Sequence, residues 1–589
     1  FDEKLNCSFH YLNALLMDKP QPGENLYANI AWSHSISSNK VSVNEKVIEK
    51  FLNGTPFKEE HKLMGKPGSY LINFSDNISP GEKIYWYTVV DVKKSQVDIE
   101  DLNHRISTLK NLGDSLDNSI VESYFNFEHV IGTGDGFQCT NYNINDLHHT
   151  ANVTYNVLRG GTFKYNYNIE KGHIKSFLIR RNNKIYEMCK NDIDTLPSDF
   201  DINYLIGFAD KKNVPSLSRL CREYLPLYLG RRHGDPSRPW NHFNIKTNDT
   251  SGSSILYYEG NWRDIFQNWE ALGISYPNAW ESMVSIFLNA TTLDGYNPYR
   301  ITSHGIDWEI IDKDDSWSNI GYWNDHQIIY LLKLLEHFYS FNQTKVINLF
   351  NKRIFSHANV PYKIKSFNDI RRNPKDTIVF DHKLNTSIVS LDEAIGSDGR
   401  LILNDKKEVY HSSMCEKMLI LSLAKICNHV PGAGIWLITQ RPEWNDANNA
   451  LVGNGASMVT VYYLRRFLAF FLNLIDRNNN SKILFSSEVW NWFEATNKVI
   501  QKLDLARSNH FKDGGRMDYV SQLGKIYEEY RTSTYGVGFS GLCKGNLKEV
   551  KVFLQIIISD IDKTIQSNQQ QSGLFETYNT INIDIDNNK

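Results

Sequence analysis

Cysteine is scarce in this chain of 589 residues, with seven in all: Cys7, Cys139, Cys189, Cys221, Cys415, Cys427 and Cys543. They are scattered, odd in number and form no Cys-x-x-Cys pair. That argues against a disulfide framework or zinc site and for a reducing compartment, so a cytoplasmic location is expected. No run of about 18 apolar residues occurs, so no membrane-spanning helix is expected. No block of Lys and Arg occurs either, and the net charge is only −3, which argues against dedicated nucleic-acid binding. The histidines lack ligand spacing such as His-x-x-x-His, so no metal is expected. No internal repeat is evident, which disfavours a solenoid. The chain starts at Phe1 with no basic-then-apolar signal segment and ends in a polar stretch after Ile583. It reads as a processed chain or a fragment.

Aromatic residues are abundant: 13 Trp, 31 Tyr and 30 Phe. With 41% hydrophobic residues, the chain is too apolar to be disordered. Residues 1 to about 97 read as strands (25–35, 69–74, 83–92) separated by Gly/Pro/Asn turns, as in part of a β-sandwich. Residues 98–214 read as a polar connecting helix and a mixed α/β segment. There Gly132-Thr133-Gly134-Asp135-Gly136 lacks the Lys-Ser/Thr ending of a phosphate loop, so a tight turn is expected. From 215 to 589 helices dominate. In 262–272, Trp262, Ile265, Phe266, Trp269 and Leu272 recur at helical spacing, with Asn261 as N-cap. Further helices are expected over 278–290, 325–341, 412–427, 456–475, 482–503, 517–531 and 547–567. The stretches 230–261, 291–324, 355–411 and 428–455 read as long loops, which in compact domains usually carry function.

Seven tryptophans fall between 240 and 323. Trp262, Trp269 and Trp280 lie on helical faces and suit core packing. Trp240, Trp308, Trp317 and Trp323 lie in loop stretches beside charged residues. They suit either stacking on sugar rings or pinning the loops to the domain. A second constellation is Gln440-Arg441-Pro442-Glu443-Trp444-Asn445-Asp446, with two carboxylates, an Arg and an aromatic. Glycoside cleavage needs a carboxylic acid to protonate the departing oxygen, and Glu443 and Asp446 are the local choices. An Asx-rich helix cap is the plainer alternative.

Three segments together resemble a known family. Gly260-Asn261-Trp262-Arg263-Asp264-Ile265-Phe266-Gln267 is similar to a Gly-Asn-x-Arg-Asp-x-x-Gln segment. Trp323-Asn324-Asp325-His326 resembles an aromatic-x-Asp-Asp/His segment ahead of a helix. Trp444-Asn445-Asp446, followed by Gly453-Asn454-Gly455-Ala456-Ser457, resembles the Trp-Asn-Asp acid and the Gly-x-Gly-x-Ser turn after it. In this order they resemble the inverting glycoside phosphorylases related to cellobiose and chitobiose phosphorylase, and the relatives acting on β-1,3-glucans. Glu443 stands where the cellobiose-type pattern has Asp, and no phosphate-binding His and Thr can be matched after Asp446.

The resemblance implies a mainly α fold: an (α/α)6 toroid over 215–589, read as C-terminally incomplete, after a partial β-sandwich (1–97) and a helical linker (98–214). It implies Asp446 as general acid, with inorganic phosphate attacking the anomeric carbon and no other cofactor. Arg263, Asp264, Gln267, Arg300, Asp307, Trp308, Trp323, Asp325, Arg441, Glu443 and Trp444 are the expected substrate-binding residues. An oligosaccharide or glucan is the expected partner, with no nucleic acid and no membrane, and a homodimer as one expected assembly. An inverting hydrolase would instead need a second carboxylate, Glu259, Asp307 or Asp325, about 6.5–9.5 Å from the acid. A non-catalytic carbohydrate-binding toroid is the third reading.

Overall fold

Ala28–His34 puts Ala28, Ile30 and Trp32 into a core, and the strand pairs antiparallel with Cys7–His10 on one side and Tyr87–Lys94 on the other. In the computed structural model, which describes residues 1–3, 6–11, 27–36, 39–163, 168–228, 232–233, 255–298, 300–310, 322, 324, 327–438, 450–505 and 513–583, the chain divides into two compact units. The first covers Phe1–Val130 and the second runs from Ile131 onward. Among the described residues the protein is mainly α, about 54% helical with 19 helices.

In the first unit the three-stranded sheet packs on Ile99, Leu102 and Ile106 of the helix Gln96–Thr108. That helix starts at a reciprocal Ser95–Asp98 capping box. A second antiparallel pair joins Asn39–Ser42 to Leu71–Phe74. A helix at Lys46–Leu52, unexpected from the sequence, follows the first of these strands. The helix Leu112–Thr133 ends at the Gly-Thr-Gly-Asp-Gly segment. Gly134 and Gly136 both donate their amides to Ile131 O, and Asp135 has φ +57°. A Cβ on Gly136 would lie 2.3 Å from the Ile131 side chain. The segment is thus the tight turn expected.

In the second unit, residues 168–224 form a small helical body with its own core. The strands Asn168–Glu170 and Asp199–Asp201 pair. The helices Lys171–Arg181, Asn183–Asp194, Ile202–Lys211 and Pro215–Glu223 bury Ile174, Leu178, Ile193, Leu205, Leu217 and Leu220.

The larger core belongs to a succession of helices. Trp262–Ser275 packs on Trp280–Ala290, which packs on Gln327–Phe341, which packs on Met458–Asp476, which packs on Leu547–Gln566. Met414–Ile426 meets Met458–Asp476 and Ser487–Leu505, and the latter meets Asp513–Thr534. Ile265, Phe266, Trp269 and Leu272 are all fully buried, as their spacing requires. Met458–Asp476 is long and apolar enough to cross a membrane by length and composition alone. It buries Val461, Leu464, Leu468 and Phe471 in the core, while Arg465 and Arg466 pair with Asp562 and Glu336. Three expectations change. The stretch 355–411 is not a loop, because it contains the helices Phe367–Arg372 and His382–Ile395 and the hairpin Tyr362–Ile364/Ile378–Phe380. Lys482–Ser486 is a strand, paired with Leu542–Asn546, and the helix begins only at Ser487. Gly455–Ser457 is also a strand, in a four-stranded sheet with His429–Val430, Gly434–Trp436 and Tyr578–Thr580.

Candidate functional site

The strand Glu259–Asn261 runs straight into the helix Trp262–Ser275 and pairs with Arg300–Thr302, which turns back as Gly305–Asp307. The register sets Asn261 opposite Arg300 and Arg300 opposite Asp307. Arg300 thereby lies between two carboxylates. Its Nη1 is 2.9 Å from Glu259 Oε1, and its Nη2 bonds Asp307. Glu259 also accepts from the Tyr257 hydroxyl at 2.6 Å. Asp307 further accepts from the Trp308 amide at 3.0 Å and from Arg400 at 3.4 Å. Arg400 in turn pairs with Asp392 at 2.8 Å. Glu259, Arg300 and Asp307 are thus half-buried, alternating charges across three adjacent strands, the arrangement that holds side chains rigid at a binding surface.

Trp308 is buried, with its indole N–H donating to Asn385 at 3.0 Å and the Arg400 guanidinium 5.4 Å above its ring. Asp264 is half-buried one turn into the helix, and Gln267 is exposed on the next turn. Asn261 occupies the N-cap position, but its side chain makes no cap hydrogen bond. Its Oδ1 is buried without a hydrogen-bond partner, a donor-seeking atom beside Arg300's strand. Asn324 Oδ1 is likewise buried and unpartnered. Arg263 lies on the helix backbone, and its side chain is outside the described residues, as are Trp240, Trp317, Trp323, Asp325, Arg441, Glu443, Trp444 and Asp446.

The start of the segment that carries Trp317, Trp323 and Asp325, and both ends of the one that carries Arg441, Glu443, Trp444 and Asp446, are described. Tyr362 donates to Glu309 O, at the start of one. Thr377 Oγ1 donates at 2.6 Å to Ile438 O, at the start of the other. Tyr362 and Thr377 belong to the same short hairpin, because Tyr362 pairs with Phe380 and Ile364 with Ile378. The Ile438 segment is closed at its neck: Leu437 donates to Gly455 O at 2.9 Å and Gly453 to Leu437 O at 2.6 Å. Gly453 has φ +81°, and a Cβ there would lie 2.9 Å from Lys375 Cγ and 3.0 Å from Pro374 C. Only glycine fits this neck without displacement.

Residues that no sequence pattern singled out fix the path from helix Trp280–Ala290 to Arg300. Asp294 is buried and accepts from Thr292 and Tyr322 at 2.5 Å and from Tyr535 at 2.6 Å. Burial, and then the Asp294 charge, push both phenols well above their usual pKa, so they remain donors. The Tyr530 hydroxyl donates to Leu293 O at 2.7 Å, and Tyr527 donates to Asp294 O. Fully buried Lys417 bonds Thr291 O at 3.1 Å, Ser356 O at 2.8 Å and His357 Nδ1 at 3.0 Å. Burial drives Lys417 and His357 well below their ordinary pKa values, with the Lys417 charge adding to the effect on His357. The Asp294 partners lie up to 241 residues away, so local spacing carried no signal for them.

The 168–224 body meets the back of the Arg300 hairpin. Arg180 Nη1 lies 3.0 Å from His304 Nε2, at the hairpin tip. Arg219 pairs with Glu223 at 2.7 Å and with Asp398, Arg181 pairs with Glu223, and Asn182 donates to Asp398 at 2.8 Å. All four charges are buried. Asp398 and Arg400 share one 3-10 turn, Ser397–Arg400, so the turn that receives this body also supplies Arg400 to Asp307 and Trp308. A void of about 20 Å³, large enough for one water, lies among Arg181, Glu223, Thr302 and Gly305.

Residues 163–226 match the model of glycoside hydrolase family 149 insertion domain 1. The match coincides with the helical body just described. No curated protein matches the chain. The match points to a glycoside-active enzyme of carbohydrate metabolism, a phosphorylase or a hydrolase in general. Among the described residues no cluster of His, Cys, Asp or Glu has metal-binding geometry.

Proposed function

We propose that the protein cleaves or forms a β-glucosidic bond with inversion, by phosphorolysis of a β-glucoside or oligoglucan to a sugar 1-phosphate. Asp446 protonates the glycosidic oxygen, and phosphate attacks the anomeric carbon from the opposite face. The observation that carries this reading is the match at 163–226 to an insertion domain of family 149, a β-1,3-glucan phosphorylase family. That match stands upstream of Gly260–Gln267 and Trp444-Asn445-Asp446 in the same chain. Sugar hydroxyls would meet Glu259, Arg300 and Asp307 on the hairpin, with Arg263, Asp264, Gln267, Asp325, Arg441 and Glu443 around it and Trp308, Trp323 and Trp444 as walls. The remaining lone pairs of two Arg-held carboxylates suit hydroxyl donors.

Phosphorolysis needs only one catalytic carboxylate, because phosphate is already a nucleophile, whereas an inverting hydrolase needs a second one as base, Glu259, Asp307 or Asp325. The architecture we propose is an (α/α)6 toroid behind a partial β-sandwich, supported by the succession of packed helices. Seven unpaired cysteines suit a cytoplasmic enzyme, which we propose works without a cofactor and forms a homodimer.

The test is incubation with α-glucose 1-phosphate and a panel of glucose and β-1,3-glucan acceptors, measuring released phosphate. Phosphate release on acceptor addition is expected. Asp446→Asn should abolish it while leaving the unfolding curve unchanged. Degradation of oligosaccharide to free sugar at equal rate without phosphate would replace this reading with a hydrolase.

A further inference from the structure

Beyond the Arg300 hairpin, the second unit contains a cavity of about 300 Å³. This is at the small end of the range for ligand pockets. One wall is apolar: Phe367, Trp436 and Val520 are buried side chains that face it, with Ile581 and Ile583 opposite. Two guanidinium groups, Arg371 and Arg516, also line it, and among the described residues no Asp or Glu does. An apolar lining beside the half-buried Arg371 guanidinium, whose Nε has no partner, favours a ligand that is apolar at one end and anionic at the other.

The two arginines are held differently. Arg516 is anchored through Nε to Pro431 O at 3.0 Å. Arg371 stands over the Phe367 ring, 6.0 Å from its centroid, and among the described residues it makes no ion pair; its Nε is buried without a partner. The walls are fixed by hydrogen bonds that do not involve the cavity. Trp436 Nε1 donates to Gly453 O at 2.9 Å, Asn579 Nδ2 donates to Ala433 O at 2.7 Å, and the Phe367 amide donates to Glu528 at 2.8 Å. The space is therefore preformed rather than a gap between loose side chains.

We propose that this cavity binds a small amphipathic anion: an aryl or short alkyl body against Trp436 and Phe367, with a phosphate or carboxylate head bonded by Arg371. The planar fork of Arg371 suits a two-oxygen head. The apolar body distinguishes such a ligand from the inorganic phosphate of the proposed reaction.

Calorimetric titration of the full chain with phenyl phosphate tests this, with inorganic phosphate and phenol titrated in parallel. Saturable binding of one phenyl phosphate at this site is expected, with both fragments at least about tenfold weaker there, because each lacks half the contacts. Arg371→Gln should weaken phenyl phosphate about tenfold or more. Ala433→Leu, which fills the cavity and leaves the charge in place, should weaken it comparably. If Arg371→Gln fails to fold, Ala433→Leu alone decides the matter. Absence of saturable binding would overturn the proposal. So would binding that survives these changes, which would place the ligand elsewhere, or equal binding of phenol.

Discussion

Replacing Asp398 by Asn tests whether the buried ion cluster holds the 168–224 body against the rest of its unit. Asp398 is fully buried and carries one of two negative charges that balance Arg181 and Arg219. The amide keeps the shape of the carboxylate and leaves one net positive charge in the interior. Breaking a buried pair on one side costs about 3–5 kcal/mol. The unfolding entropy is about 2.1 cal/mol/K per residue, which for a cooperative unit of roughly 450 residues is about 1 kcal/mol/K. The Tm of this unit should therefore fall by about 3–5 °C.

A second variant separates charge imbalance from lost contact. Arg219→Met with Asp398→Leu removes one charge of each sign and leaves Arg181 with Glu223. Exchange of a buried pair for apolar groups is close to neutral, so the double variant should recover to within about 1–2 kcal/mol of the parent. Urea titration of the parent, Arg219→Met, Asp398→Leu and the double variant gives the coupling energy directly. Because Asp398 shares its turn with Arg400, Asp398→Asn should also lower glycoside turnover, and the double variant should restore part of it. An Asp398→Asn protein within about 1 kcal/mol of the parent, or a double variant as unstable as the sum of its singles, would refute the reasoning.

Acidification should destabilise the second unit well before its carboxylates titrate. Burial, then Arg219 and Arg353, push His411 down to about 3. Between that value and about 6.5 the unfolded chain binds the extra proton, so stability is full above about 6.5 and falls with pH, by about 2 kcal/mol at pH 5. His411→Gln should flatten this slope in urea titrations from pH 7 to 5. Glu223 enters at lower pH: burial alone would raise it, but Arg181 and Arg219 outweigh burial and hold it below its usual value. Its contribution is present above about 4.5 and is lost as pH falls further. Arg300→Gln removes the cation that Glu259 and Asp307 share, leaving Asp307 with Arg400 alone, and should cut kcat/KM by about 100-fold or more. Gly453→Ala should cost about 1–3 kcal/mol, for positive φ and the Pro374 contact, and should lower turnover. Equal activity in that variant would detach the loop neck from the chemistry.

Legibility in the sequence follows the range of the interactions. The helix Trp262–Ser275 could be read because five residues at helical spacing report one buried face, and all five are buried. The helix His382–Ile395 could not, because it lies on the surface and buries only Ile388 and Ile395, too few for a periodic stripe. At Lys482–Ser486 the period changes from two to 3.6 within an apolar run, and short apolar runs do not distinguish strand from helix. The roles of site residues were harder still. Arg300 is among the substrate-binding residues that the resemblance implies. What it holds is decided by a cross-strand register linking 259, 300 and 307, which is tertiary information.

The same argument explains how Trp308 is held. Sequence placed it beside Asp307 and Glu309, where an exposed indole would need a flat partner. The fold supplies that partner internally, as the Arg400 guanidinium on one face and Asn385 at the ring nitrogen. Arg400 is presented by the turn that Asp398 fixes to Arg219. A residue that reads as ligand-facing is therefore held by a chain of contacts ending in the 163–226 match. The matched segment then does more than decorate the surface: its buried charges set the position of the Arg300 hairpin from behind. That makes the Asp398 substitution a test of function as well as of stability.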